Sequence, residues 1–138
     1  MSRVEESVEV EAPAALAYTY WRSPDKLCRF LEGVEEVREI DERTLEWRGR
    51  IGGRRREWRT QVAADEPGRL LAWVTTDGPS DVTVRFAATN GSTRVEVVDL
   101  VKPQTFVERV ADLLGLSRRR VRKELRSFKE LVEADRLR

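Results

Sequence analysis

Residues 45–60 read Leu-Glu-Trp-Arg-Gly-Arg-Ile-Gly-Gly-Arg-Arg-Arg-Glu-Trp-Arg-Thr. Trp47 and Trp58 stand symmetrically about the Gly52-Gly53 pair. A Gly-Gly step supplies the two positive-φ positions that a tight hairpin turn requires. With the turn there, Trp47 lies directly opposite Trp58 on one face of a two-stranded ribbon. Trp73 falls on the same face of the next strand. Three indoles on one side of a sheet either pack a core or line an apolar pocket, and the function turns on that alternative.

Centring the other hairpins on their turns extends the pattern. The turns are Asp41-Glu42-Arg43, Pro67-Gly68, Asp77-Gly78-Pro79-Ser80 and Asn90-Gly91. Val62 then opposes Trp73, Trp73 opposes Val84, Phe86 opposes Val95 and Val84 opposes Val97. One face collects Leu45, Trp47, Trp58, Thr60, Val62, Leu71, Trp73, Thr75, Val82, Val84, Phe86, Val95 and Val97. The other collects Glu46, Arg48, Glu57, Arg59, Gln61, Arg85, Arg94 and Glu96. A slip of one residue would scramble that separation. Residues 34–100 therefore read as an antiparallel meander with one buried face.

Before the meander, residues 3–11 read as a first strand. Pro13 suits the start of a helix over Ala14–Trp21, and Ser23-Pro24-Asp25 breaks it and opens a second, ended by Gly33. After the meander the period changes. Val110, Leu114, Val121, Leu125, Phe128 and Val132 follow the three-and-four spacing of an amphipathic helix, widened by Phe106, Leu113 and Leu131. Gly115 predicts a kink or short break there. A helix and a sheet with one apolar face each bury one another. The fold class is α+β, a single domain over residues 1–138.

The charged fraction is 37% with a net charge of only +1, which argues against nonspecific nucleic-acid binding. The charges are unevenly placed: residues 1–46 carry 6 Lys/Arg and 12 Asp/Glu, and residues 47–138 carry 20 and 13. Cys28 is the one cysteine and there is no histidine. That removes disulfide frameworks, the usual zinc sites and the histidine-dependent triads. With no membrane span and no signal-peptide pattern, the expectation is a soluble, cytoplasmic protein with no cofactor and no metal.

In this order (strand, two short helices, meander, long helix) the chain resembles the START-like superfamily, also called SRPBCC. Within it the likeness is to bacterial polyketide cyclase/dehydrase-like proteins. It is carried by Phe30-Leu31-Glu32-Gly33-Val34, by Trp47 through Gly52-Gly53 to Glu57-Trp58, by Trp73 with Thr76-Asp77-Gly78, by Thr93-Arg94-Val95 and by Phe128-Lys129-Glu130. The resemblance implies a helix-grip fold, a seven-stranded antiparallel sheet wrapped around the long C-terminal helix. It also implies a cavity between them for an apolar or aromatic, polyketide- or lipid-like molecule. The alternative is a polyketide cyclase or aromatase acting on a carrier-bound chain.

The candidate ligand-binding residues are Trp47, Trp58, Thr60, Trp73, Thr75, Phe86 and Asp99. The threonines offer hydrogen-bonding points among the indoles. Asp99 continues the inner face at a strand end, where a carboxylate is either solvated or poised as an acid or base at the cavity mouth. Cys28 reads as a small buried residue, and no catalytic set is assigned. Arg54-Arg55-Arg56 with Arg59, and the basic run from Arg118 to Lys129, are either solvated faces or docking surfaces for an acidic carrier protein. Aromatic residues are not interleaved with these cations, so nucleic acid is not expected as a partner.

Overall fold

The computed structural model describes residues 2–51, 53–102 and 113–137, with side chains for all of these except 2, 51 and 113–117. Among the described residues, seven strands and three helices follow in the order β1 (Ser2–Val10), α1 (Ala14–Arg22), α2 (Pro24–Phe30), β2 (Val34–Asp41), β3 (Thr44–Ile51), β4 (Arg54–Glu66), β5 (Leu70–Val74), β6 (Ser80–Thr89), β7 (Ser92–Val101) and α3 (Leu113–Arg136). The strands form one antiparallel sheet in the order β1-β7-β6-β5-β4-β3-β2. The meander is thus a run of neighbouring hairpins, and β1 closes the far edge by pairing with β7.

Local chemistry sets the hairpins. Asn90 and Gly91 both adopt positive φ, 46° and 87°, between the paired residues Thr89 and Ser92. That is the two-residue turn whose twist matches the strands it joins. In the β3–β4 hairpin the ladder runs from Thr44 opposite Gln61 through Trp47 opposite Trp58 to Ile51 opposite Arg54, the register expected from a turn at residues 52 and 53. Gly52 itself lies outside the described residues.

The β5–β6 hairpin corrects one pairing. Trp73 stands opposite Val82, and Leu71 takes Val84. The connection is an odd five-residue loop, residues 75–79, pulled in by Asp81, whose carboxylate accepts the Thr75 N–H at 2.9 Å. The shift is two residues, so every side chain keeps its face. Leu45, Trp47, Trp58, Thr60, Val62, Leu71, Trp73, Thr75, Val84, Phe86, Val95 and Val97 are all buried, as expected of the inner face. The outer face is laced by direct cross-strand ion pairs, Arg38–Glu46–Arg59, Arg48–Glu57 and Arg85–Glu96.

Helix α3 packs on β1, α1 and α2. It buries Val121, Leu125, Phe128 and Val132, the one-sided stripe that its three-and-four spacing requires. Phe128 is the centre of the contact, with its ring against Tyr20 and Trp21 of α1 and Phe30 of α2. The backbone stays helical through Gly115, so the break expected there does not occur. A single glycine costs about 1 kcal/mol in a helix interior, too little to stop a 24-residue helix. Phe106 and Val110 lie outside the described residues. No helix among the described residues is long and apolar enough to cross a membrane.

Candidate functional site

The inner face of β3, β4 and β5 is an aromatic wall. Trp47 and Trp58 stack with ring centroids 6.1 Å apart and planes 8° from parallel. Trp73 meets Trp47 edge-on at 5.9 Å, and Trp21 of α1 lies 6.5 Å from Trp73. Phe86 stands further along β6, edge-on to Tyr18 at 5.9 Å. A continuous aromatic path therefore runs from the β3–β4 hairpin through Trp73 and Trp21 to Phe128 of α3.

The two threonines have internal duties. The Trp47 indole N–H donates to Thr60 Oγ1 at 2.8 Å, with both groups buried. Thr75 donates to the Arg59 carbonyl at 2.6 Å and accepts the Gly78 N–H at 2.9 Å. Thr75 thereby ties the β5–β6 loop to β4 and seats Gly78 against Trp58. By contrast, the buried indole N–H groups of Trp73 and Trp21 meet no hydrogen-bond partner among the described residues.

Asp99 is not a solvated strand end. Its side chain is 6% exposed, and Arg120 of α3 donates to its Oδ2 at 2.7 Å. Its Oδ1 is buried without a partner among the described residues. Burial pushes its carboxyl pKa upward, opposed by the Arg120 charge and more weakly by the Ser80 hydroxyl. One helical turn beyond Arg120, Glu124 is also buried and accepts the Glu32 N–H at 2.9 Å. Burial raises its pKa to about 7, with Arg120 opposing the shift and Asp99 adding to it. Asp99, Arg120 and Glu124 thus form one electrostatically linked cluster between α3 and the β1–β7 side of the sheet. Sequence reasoning singled out Asp99 by register but left Arg120 in the basic run and overlooked Glu124. The available signal was Glu124 itself, a carboxylate one residue from Leu125 on the apolar stripe.

Other groups resolve as structural. Cys28 is half-buried, donates to the Pro24 carbonyl at 3.5 Å and has its pKa raised by burial, the opposite of an activated thiol. The Tyr18 hydroxyl donates to Asp65, which also pairs with Arg22. Burial and that carboxylate push the Tyr18 pKa up to about 12. On α3, Arg120 pairs with Asp99, Arg122 with Glu6, Lys123 with Glu32 and Lys129 with Glu133. Much of the basic back of the sequence is therefore matched to the chain's own acids, while Arg118, Arg119 and Arg126 stay exposed. Arg50 stands across from Arg55 near the tip of the β3–β4 hairpin.

The model of the family described as polyketide cyclase / dehydrase and lipid transport matches residues 10–130. The chain belongs to this family. A relative of the polyketide cyclase family member is an uncharacterized 17.2 kDa protein from the melC2-rnhH intergenic region of Streptomyces lincolnensis, 28% identical over 136 residues, covering 96% of this chain and 91% of the relative. Solved structures share the START-like helix-grip fold. A Deinococcus radiodurans protein superposes with a TM-score of 0.78 at 22% identity, covering 98% of this chain and 99% of that one. The Zhui aromatase/cyclase of a Streptomyces species gives 0.77 at 18%, covering 99% and 96%. A START superfamily protein of Mycobacterium smegmatis gives 0.75 at 17%, covering 94% and 98%. Membership in the polyketide cyclase family supports hydrophobic ligand binding or a cyclase role in general terms.

Proposed function

We propose that the protein binds an apolar or aromatic small molecule, polyketide- or lipid-like, between the inner face of the sheet and α3. One observation carries the reading. The wall of Trp47, Trp58 and Trp73 includes a buried indole N–H, that of Trp73, with no partner among the described residues. Apolar walls with a few convergent polar groups are the ordinary form of a small-molecule site. The other candidates divide. Thr60, Thr75 and Phe86 belong to the same face, but Thr60 already accepts the Trp47 N–H and the Thr75 hydroxyl is occupied by the loop and β4. Titration with aromatic compounds and fatty acids, followed by the four tryptophan indole N–H resonances in NMR, tests the proposal. Saturable shifts centred on Trp73 and Trp47 support it. Failure of every compound to move any indole signal overturns it.

A second reading is a cyclase acting on a carrier-bound polyketide, favoured by the coupled carboxyl groups of Asp99 and Glu124 beside Arg120. Positioned acids and bases of this kind accelerate enolisation and dehydration steps. On α3 the exposed Arg118, Arg119 and Arg126, and on β4 the exposed Arg54 and Arg55, are cations that an acidic carrier could meet. A reconstituted polyketide reaction whose product profile changes with the protein present, and reverts with Asp99→Ala, supports this reading. An unchanged profile counts against it.

A further inference from the structure

Asp99 occupies a definite place on the inner face. Across the sheet it is paired with Val82 of β6, which in turn is paired with Trp73 of β5. The carboxylate and the indole therefore stand two strands apart in one row, roughly 10 Å at the usual strand spacing. Both carry a buried polar atom without a partner among the described residues, Asp99 Oδ1 and Trp73 Nε1. Val82 between them is only half-buried, although Trp73 and Asp99 on either side are buried. The row is thus least covered between the two residues that carry its unanswered polar atoms.

A buried polar group without a partner costs about 1–3 kcal/mol, and native structures keep few of them. Two in one row, one an acceptor and one a donor, describe a ligand that supplies the missing bonds. Arg120 fixes the sign of the group Asp99 requires. Burial pushes the Asp99 carboxyl toward its neutral form, while the Arg120 guanidinium on Oδ2, and more weakly the Ser80 hydroxyl, work for the carboxylate. With Arg120 donating to Oδ2, Oδ1 is the oxygen left to accept, and the complementary group is an O–H or N–H. A second anion here would meet the Asp99 carboxylate, so the ligand's polar group is neutral.

We infer that Asp99, held by Arg120, is the polar end of the binding face and takes a neutral hydroxyl of an aromatic ligand, whose O–H donates to Asp99 Oδ1, an assignment that rests on the aromatic-ligand reading above. The rings lie toward Trp73, and an acceptor oxygen at the ligand's other end answers the Trp73 N–H. Substrate class follows from this: phenolic or enolic aromatics rather than hydrocarbons, ethers or fatty carboxylates.

Three probes of nearly equal shape separate the possibilities: naphthalene, 2-naphthol and 2-methoxynaphthalene. Affinities come from indole N–H shifts in NMR titrations of the full chain. The expected order places 2-naphthol about tenfold tighter than the other two, against the hydrophobic trend, since the hydroxyl makes naphthol the most water-loving of the three. In Asp99→Asn the amide turns its oxygen to Arg120 and offers an N–H to the ligand, so the advantage of naphthol over the methyl ether falls to within about twofold. The paired variant D99L/R120L removes both partners without leaving a lone charge. It keeps the test alive should Asp99→Asn fail to fold, and there too the naphthol advantage should vanish. If none of the probes moves the indole signals of the wild type, the aromatic-ligand reading itself fails. If all three bind equally, that reading stands and the role of Asp99 is overturned. A naphthol preference that survives in both variants also overturns it.

Discussion

The indole N–H of Trp47 donates to the hydroxyl of Thr60 at 2.8 Å inside the aromatic wall. The bond converts what would be a second unanswered indole on the sheet into a satisfied pair, and it fixes the ring that Trp58 stacks upon. Thr60→Val keeps the side chain's shape and removes the acceptor. The buried N–H then costs about 1–3 kcal/mol, read as a lower midpoint in urea denaturation at unchanged slope. In a Trp47→Phe background there is no donor to strand, so the same substitution should change stability by only a few tenths of a kcal/mol. Equal losses in both backgrounds would show that the bond contributes nothing.

Gly78 is a second support of the wall. A Cβ built there would lie 2.5 Å from Trp58 Cδ1 and 2.8 Å from Thr75 Oγ1. Neither neighbour is free to retreat: Trp58 stacks on Trp47, and Thr75 is hydrogen-bonded to β4. Gly78→Ala should therefore destabilise the fold by about 1–3 kcal/mol and displace the Trp58 indole resonance further than that of Trp21. A variant with wild-type stability and an unmoved Trp58 signal would show that the loop yields instead.

The wall is legible in the sequence because three independent signals agree. Gly-Gly and Asn-Gly turns set the register, alternation sets the face, and aromatic β-formers occupy alternate positions. Turn-centred counting puts Trp73 opposite Val84, two residues from its partner Val82, because Asp81 caps the Thr75 N–H, a contact that no residue count reveals. The polar cluster is harder still. Arg120 sits third in Arg118-Arg119-Arg120, where composition reads as solvent, and only the packing of α3 on β1, the neighbour of β7, brings that one arginine to Asp99. Glu124 shares the apolar face of α3 because Glu32 offers it a backbone N–H from a distant turn. Tertiary geometry decides such residues, and helical periodicity alone assigns them to either side.

Arg120 compensates a charge that would otherwise be stranded. Asp99 is almost fully covered, whereas Arg120 is 33% exposed, so water screens part of their attraction. Removing one partner leaves an uncompensated buried charge. Arg120→Met should cost on the order of 2 kcal/mol and raise the Asp99 and Glu124 pKa values further, since Arg120 lowers both. Adding Asp99→Asn should restore most of the lost stability in urea denaturation. If the double variant is no more stable than Arg120→Met alone, the cost lies in the packing of the arginine stem rather than in the ion pair.

Glu124 gives the fold a pH dependence of unusual sign for a carboxylate. It is faced by Asp99 from β7, by Arg120 from its own helix and by Glu32 from the turn after α2, and burial outweighs the arginine. Its pKa stands at about 7 against an ordinary 4.5. Between those two values the folded chain keeps a proton that the unfolded chain has released. Stability contributed by the neutral acid is therefore complete below pH 4.5 and falls as pH rises through 7. The integrated loss is on the order of 3 kcal/mol. Glu124→Gln retains an oxygen for the Glu32 N–H and cannot ionise. Its melting temperature should match the wild type near pH 4 and exceed it by about 10 °C at pH 8, followed by circular dichroism across the range. The carboxylates with lowered pKa, such as Glu46 and Glu133, act in the opposite direction but are common to both chains and cancel in the difference. Parallel melting curves for the two proteins from pH 4 to 8 would place the Glu124 proton elsewhere.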